Sequence, residues 1–253
     1  MRFTKLHGLG NDFVVVDGDA LPAGARLDDL ARRVCDRHHG IGADGLLVVG
    51  RREADGARRL EIRNADGSRA SACGNGARCV ARYLGEREAY LRTDAERVKV
   101  TWDGRIATVA LRAPRLGRRQ LVSLEAGDTP VRLVDVGNPH AVVLGLDPDA
   151  VDLALLSRQV RDAVGASANV EVVALEPPAT LRLRVDERGV GETLACGTGA
   201  CAATAAARVE GWIGDEARVL LPGGELGVRL VDDLVILSGP AEEVFRGEWN
   251  GLA

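Results

Sequence analysis

The chain has 253 residues, 46% hydrophobic and 28% charged, an ordinary globular composition with enough length for one large or two medium domains. A net charge of −4 without any basic stripe argues against nucleic acid or an anionic membrane surface as a partner, and no run is long enough to span a bilayer. Met1 to His7 lacks the apolar core of a signal peptide, and five cysteines, an odd number, speak against a disulfide framework; a cytoplasmic protein with reduced thiols is expected.

Residues 3–17 read as two strands around a tight turn at Gly8-Leu-Gly-Asn11, where Asn11 and His7 fit structural roles on local sequence alone. Leu27 to about Arg37 reads as a helix with Leu30, Ala31, Val34 and Cys35 on one face. The adjacent His38 and His39 close that helix and lack the partners of a metal site. Ala43–Val49 and Leu60–Ile62 are strands about a charged hairpin tip at Arg51–Arg59. Beyond Leu84 come short alternating strands at Ala89–Thr93, Val98–Trp102 and Ile106–Leu111, and Ala113–Arg119 is the candidate linker.

One stretch occurs twice. Asn64 precedes Cys73-Gly-Asn75-Gly-Ala and an apolar run through Ala77, Val80, Ala81 and Leu84; Glu187 precedes Cys196-Gly-Thr198-Gly-Ala and a run through Ala202, Ala203, Ala206 and Val209. Each cysteine therefore opens a helix, where unpaired backbone N–H groups and the positive end of the dipole favour an anion and can lower a thiol pKa.

The surroundings repeat as well. Gly137-Asn138-Pro-His140-Ala-Val-Val143 echoes Gly10-Asn11-Asp-Phe13-Val-Val-Val16, and a helix at Leu153–Val164 answers the one at Leu27. Ser167-Ala-Asn169-Val-Glu-Val-Val173 then echoes Gly42-Ala-Asp44-Gly-Leu-Leu-Val48. Strands at Thr180–Val185, Ala217–Leu221, Leu226–Leu230 and Leu234–Ser238 complete the second copy. The expectation is an α+β fold of two pseudo-symmetric domains, 1–116 and 117–253, with the C-terminal segment from about 243 to 253 crossing back to the first sheet.

Such a pair of domains puts the ligand cleft between them, with Cys73 and Cys196 on opposite sides. Inversion of a carbon by proton transfer needs that arrangement, because one group removes a proton and a similar one delivers it to the other face. The helix N-termini would hold a carboxylate on the reacting carbon. A Schiff-base cofactor would need a lysine, and the two present, Lys5 and Lys99, lie outside both motifs, which favours a reaction without cofactor. A zinc module is the competing reading, but the Cys73/Cys79 and Cys196/Cys201 spacings do not match close-pair sites, and no metal is expected. A disulfide-exchange protein would carry C-x-x-C, which is absent.

His7-Gly-Leu-Gly-Asn11-Asp-Phe, Asn64-Ala-Asp-Gly-Ser, Cys73-Gly-Asn-Gly-Ala-Arg, Gly137-Asn-Pro-His140 and Glu187-Arg-Gly-Val-Gly-Glu-Thr-Leu-Ala-Cys196-Gly-Thr-Gly-Ala together resemble the diaminopimelate epimerases, over the whole chain. The resemblance implies a pyridoxal-independent isomerase acting on LL- and meso-diaminopimelate, on the route to lysine and peptidoglycan precursors, usually as a homodimer. It implies two α+β domains, each a curved, mainly antiparallel sheet around a central helix. Carried over by motif, Cys73 and Cys196 are the base and acid, with Cys73 serving the LL form and Cys196 the meso form. Gly74-Asn75 and Gly197-Thr198 bind the carboxylate at the reacting carbon. Asn64, Asn169, Glu187 and Arg188 hold the distal end, Asn11 and Asn138 also touch substrate, and His140 supports the thiols.

Four positions depart from that pattern: Gly45 stands where some members carry a Gln, Arg63 and Arg69 flank Asn64 in place of apolar and acidic residues, and Asp186 replaces an aromatic. The chain is also shorter than usual. Proline racemase-like and phenazine-pathway isomerases share the fold, and the Glu187-Arg188 pair with the asparagine set argues against them.

Overall fold

The computed structural model describes residues 1–124, 127–165 and 167–251; of the C-terminal stretch, residues 252 and 253 lie outside the described set. The chain forms two compact units. One is Met1–Val109 together with the segment from Gly239 onward, and the other is Ala110–Ser238.

In the first unit β1 (Arg2–Gly8) and β2 (Asn11–Asp17) form a hairpin whose two turn residues, Leu9 and Gly10, both have positive φ (58° and 87°). This is the primed geometry that matches strand twist, and Leu9 is there at a steric cost glycine would not carry. Helix α1 (Leu27–Cys35) crosses from β2 to the parallel strand β3 (Gly45–Arg52). It stops two residues before the expected Arg37, because the Asp36 carboxylate accepts from His38 and His39 N–H and turns the chain.

Strand β4 (Ala57–Asn64) returns antiparallel to β3, the short β5 (Arg69–Ala70) pairs with it, and α2 (Gly74–Leu84) leads to β6 (Glu88–Arg92), parallel to β4. Strands β7 (Arg97–Trp102) and β8 (Ile106–Arg112) follow.

The second unit repeats this order. It runs β9 (Arg115–Leu124), β10 (Gly127–Asp135), β11 (Pro139–Leu144), α3 (Leu153–Val164), β12 (Asn169–Glu176), β13 (Thr180–Glu187) and β14 (Gly191–Thr193). It ends with α4 (Gly197–Val209), β15 (Glu216–Leu221), β16 (Gly224–Val231) and β17 (Leu234–Pro240). Its parallel pairs, β11 with β12 and β13 with β15, mirror β2 with β3 and β4 with β6; the other ladders are antiparallel. The last strand, β18 (Glu242–Glu248), pairs with β1, and β9 stands in the same relation to β10. The segment read as a linker thus enters β9, whose exposed Leu116 and run of arginines hide its strand character from an alternation test.

Each sheet has a helix on either side. On the outer face, Leu30, Ala31 and Val34 of α1 pack on Val14, Val16, Leu46 and Val48, while Leu153, Leu156, Val160 and Val164 of α3 pack on Ala141, Val143, Val170 and Val172. The alternate side chains point to the central helices, α2 and α4, each touched by strands from most of its own sheet. Helix α4 is buried nearly all round and built largely of alanine, which favours helix and lets strands approach closely. Among the described residues no helix is long and apolar enough to cross a membrane, a statement that leaves strands aside.

The ladders correct one feature of the internal alignment. Phe13 pairs with Gly45 and Gly45 with Asn64; His140 pairs with Asn169, and Val170 with Asp186, which sets Asn169 across from Glu187. Asn169 is therefore the counterpart of Gly45, not of Asp44, and by the same step Glu171 is the counterpart of Leu47 and His140 of Phe13. A one-residue shift matters, because it moves every side chain to the other face of its strand.

Gly40 closes the turn after α1 under tight constraint: a Cβ there would lie 2.2 Å from the Arg33 carbonyl oxygen and under 3 Å from those of Val34 and Asp36. Gly40→Ala should therefore cost roughly 2–4 kcal/mol of unfolding free energy, since backbone must move. Urea unfolding measures it, and an alanine tolerated within about 0.5 kcal/mol would contradict the packing described.

Candidate active site

In each unit the central helix begins on a cysteine. Cys73 is the N-cap of α2, with extended backbone (φ −154°, ψ 110°), and its Sγ accepts from Gly76 N–H at 3.2 Å. Cys196 is the N-cap of α4 (φ −125°, ψ 110°), and its Sγ accepts from Gly199 N–H at 3.4 Å. A thiol here takes the place usually held by a Ser or Asp oxygen, and it satisfies one of the helix's orphan donors while keeping its sulfur among N–H groups. Cys73 is half-buried and Cys196 almost fully buried.

Around Cys73, Gly74 and Asn75 form the first turn of α2. Asn75 donates from Nδ2 to Asn11 Oδ1 (3.1 Å), and Asn11 donates to Asp44 Oδ2 (2.8 Å). Asn64 ends β4 opposite Gly45 and donates to Ser68 Oγ (2.9 Å). Four residues outside the expected site set, Lys5, Asp12, Arg37 and Asp44, hold Asn11 in place. Arg37 bridges Asp12 Oδ1 (2.9 Å) and Asp44 Oδ1 (2.8 Å), and Asp44 N–H donates to Asp12 Oδ1 (2.9 Å). Lys5 Nζ sits 2.6 Å from Asp12 Oδ2. Burial works to raise the Asp12 carboxyl, but the hydrogen bonds and charges of Arg37 and Lys5 outweigh it and bring it down to about 2. The visible signal was a pair of aspartates, each beside a motif residue.

Around Cys196, Thr198 Oγ1 lies 3.4 Å and Asn169 Nδ2 4.0 Å from Sγ. Glu187, at the end of β13, accepts from Thr193 Oγ1 (2.6 Å). Arg188 N–H donates to Asn169 Oδ1 (3.0 Å) while its side chain is exposed. His140 is fully buried, with Nδ1 2.6 Å from Glu171 Oε1 and Nε2 3.0 Å from Asn138 Oδ1. Glu171 was not among the expected site residues, although a glutamate inside the buried run Val170–Val173 is itself a signal.

The expected lowering of the thiol by the helix start fails at Cys196. Burial, then the negative charges of Glu187 and Glu171, push it well above an ordinary thiol, against the smaller opposing effects of Thr198 and Gly199 N–H. Burial also raises the Glu187 carboxyl, opposed by its hydrogen bonds to Thr193 and Cys196.

Three of the departures have local explanations. Asp186 is buried and ion-paired to Arg161, which also donates to the Ala168 carbonyl (2.9 Å), so a single guanidinium clamps the strands carrying Asn169 and Glu187. Arg69 pairs with Asp94 (2.8 Å). A Cβ on Gly45 would come 2.7 Å from the Arg63 carbonyl and 3.3 Å from the Phe13 ring, so no larger residue fits there without a shift. Among the described residues no group of three or more His, Cys, Asp and Glu side chains is placed to hold a metal ion.

The duplicated α+β units with their cysteine-capped helices define a fold shared with solved structures of two other proteins. A predicted epimerase from Pseudomonas aeruginosa superposes with a TM-score of 0.75 at 18% identity, covering 98% of this chain and 99% of that one. A hydroxyproline epimerase from Agrobacterium vitis, solved with trans-4-hydroxy-L-proline bound, gives 0.73 at 16% identity, covering 98% and 91%. At the level of sequence, the diaminopimelate epimerase family model matches residues 3–114 and 132–244, one segment for each copy of the repeat. The diaminopimelate epimerase of Desulforudis audaxviator is 42% identical over 281 aligned positions, covering 98% of this chain and 99% of that protein. The chain belongs to the diaminopimelate epimerase family and is an isomerase of the epimerase class.

The Asp12 cluster has a testable consequence. A carboxyl held near 2 when folded and near 3.8 when unfolded contributes stability above about pH 4, lost as pH falls toward 2. Asp12→Asn should remove on the order of 1–2 kcal/mol of that acid dependence, allowing for the exposed half of Arg37. Urea unfolding of both proteins between pH 2 and pH 6 reads it, and parallel stability curves would refute the assignment.

Proposed function

We propose that the protein interconverts LL- and meso-diaminopimelate without a cofactor, by two-base proton transfer at the α-carbon between Cys73 and Cys196. The observation that carries the reading is the repeated N-cap: two cysteines, each with its sulfur against the open N–H groups of a central helix, in a member of this family. In the LL direction the Cys73 thiolate takes the α-proton, and the Cys196 thiol gives its own proton to the other face. One S–H bond forms and one breaks, and the negative charge ends on Cys196. The meso form returns by the reverse path.

Backbone N–H groups at Gly74-Asn75 and Gly197-Thr198 bind the carboxylate on that carbon and stabilise charge delocalised into it as the carbanion forms. Arg188, exposed beside Asn169, suits the distal carboxylate, while Glu187 with the asparagine carbonyls of Asn64 and Asn169 suits the distal ammonium. In the same reading Asn11 and Asn138 also touch substrate, and His140 supports the second thiol. The raised Cys196 fits the role of acid for the LL form. Neither lysine is free for a Schiff base: Lys5 is paired with Asp12, and Lys99 with Glu88 at 2.7 Å. Homodimer assembly and a cytoplasmic location belong to the same reading, and sedimentation together with cell fractionation tests them.

The deciding experiment follows LL-diaminopimelate in D2O with the purified protein and with Cys73→Ser and Cys196→Ser. Deuterium should enter at the inverted carbon without added pyridoxal phosphate or metal, and each variant should lose at least about 10²-fold in kcat/KM. Exchange of proline or hydroxyproline in place of diaminopimelate would move the chain to a sister activity, and retention of full rate in either variant would reject the two-thiol chemistry.

A further inference from the structure

The two halves of the duplication differ at a buried place beside each cap cysteine. Behind Gly76, in the first turn of α2, stands an apolar side chain: a Cβ there would meet Leu47 Cδ2 at 3.1 Å and Cys73 Sγ at 3.4 Å. Behind Gly199, in the first turn of α4, stands a carboxylate: a Cβ would meet Glu171 Oε1 at 2.9 Å and Cys196 Cβ at 3.3 Å. By ladder register Leu47 and Glu171 occupy equivalent positions, as do Phe13 and His140. The first unit therefore fills this place with a Phe and a Leu, and the second with an imidazole and a carboxylate, both 0% exposed.

The fold does not need the polar pair. The apolar version packs in the same framework, and burying charge is costly: Glu171 Oε2 is buried with no hydrogen-bond partner. The hydrogen bonds also count the protons. The carbonyl oxygen of Asn138 supplies none, so His140 Nε2 carries one; the 2.6 Å contact between Nδ1 and Glu171 Oε1 requires a second between them. With two protons on the ring and carboxyl together, the pair has zero net charge, whether written imidazolium–carboxylate or imidazole–carboxylic acid.

We propose that Glu171 is a positioning residue for the Cys196 half of the site: sharing one proton with His140, it orients the imidazole that anchors Asn138, and with the carboxyl end of the pair turned to the first turn of α4 it holds Cys196 as the thiol. The charged and titratable groups around Glu171 are His140 from β11, Glu187 from β13 and Cys196 from α4; Asp186 on β13 is engaged by Arg161 of α3. Burial first, then the negative charges of Glu187 and Glu171, push the Cys196 thiol up. Removing the carboxylate takes away the nearer end of the dipole and makes the thiol easier to ionise.

The role of Cys196 as acid rests on the proposed two-thiol reaction, so the test has one arm that uses no substrate. In the 15N-histidine-labelled full-length protein at neutral pH, His140 should show a strongly deshielded shared proton at Nδ1 and a protonated Nε2. Glu171→Gln should lose the shared proton and leave a neutral ring. In the kinetic arm, the alkaline limb of kcat/KM for LL-diaminopimelate should move down by about one pH unit in Glu171→Gln, tenfold more thiolate at a given pH.

The double variant His140→Phe with Glu171→Leu installs the first unit's pair. It should still fold, at some cost in Tm because Asn169 stands beside position 140 where the first unit has Gly45 beside Phe13, move the same limb down, and lose about 10–10²-fold in kcat/KM as Asn138 loses its anchor. A role confined to packing predicts the reverse: an unshifted limb, and parental kcat/KM in the well-folded double variant. That result, or an ordinary unshared His140 signal in the parent protein, overturns the proposal. The shared proton and its loss in Glu171→Gln would support the pair even if diaminopimelate proved not to be the substrate, because no substrate enters that measurement.

Discussion

The structure depends on a helix that begins on a thiol. At an N-cap the side chain must reach the N–H of the third residue beyond it, and with sulfur in that place the two sulfur–nitrogen distances are 3.2 and 3.4 Å, longer than an oxygen cap would make. The glycines that follow are forced by the same geometry, since a Cβ at Gly76 or Gly199 would press on Leu47 or Glu171 and crowd the cap cysteine. Cysteine and the glycine three residues on form one steric unit in both helices; in α4 the alanines that follow extend it and let the strands come near, whereas α2 buries the larger Arg78 and Val80. The chemistry asked of the sulfur and the packing of the domain thus share one set of atoms.

Duplication explains why this happens twice, and divergence explains why the copies are not interchangeable. The first copy surrounds its half-site with an ionic cluster that is exposed on one side only: Arg37 joins the largely buried Asp12 to Asp44, and the cluster fixes Asn11, which fixes Asn75. The second uses buried links, from Glu171 through His140 to Asn138 and from Arg161 to Asp186. Both devices hold an asparagine at the same turn. The first is partly screened by solvent through Arg37 and Asp44; the second is dry, so its charges act on the neighbouring thiol with less attenuation.

What was legible in the sequence was what is local. The Cys-Gly-x-Gly-Ala motif predicts a helix start from steric rules that operate within a single turn, and α2, α3 and α4 begin and end within a residue or so of their signals because Asp152, Gly85 and Gly165 supply standard caps. The family resemblance rested on those same motifs. What was hidden depends on register. Aligning Asn169 with Asp44 is the natural reading of letters, but strand pairing sets Asn169 against Gly45, and only then do Leu47 and Glu171 fall together. Glu171 reads as one charge in an apolar strand; its partner His140 lies on a different strand, and nothing within either segment announces the pair. Strand β9 was missed for a related reason, since its pairing with β10 is made by backbone and its side chains are mostly exposed.

The raised Cys196 thiol is best understood against this background. A helix N-terminus offers a thiolate partial positive charge worth a fraction of a kcal/mol to about 2 kcal/mol, whereas burial and a nearby carboxylate work against the charged form by as much or more. The dipole argument, taken alone, predicts the wrong sign for this residue. In the proposed two-thiol reaction, an acid that must surrender its proton only to a carbanion gains from that balance, because a thiol easily ionised at rest would lack the proton the reaction asks of it. When negative charge is already present on the reacting carbon and its carboxylate, moving it to sulfur shifts charge within the site and adds none, so the burial that suppresses ionisation in the empty protein opposes the transfer far less. Under that proposal, a site built in this way suppresses idle ionisation while leaving the productive transfer open.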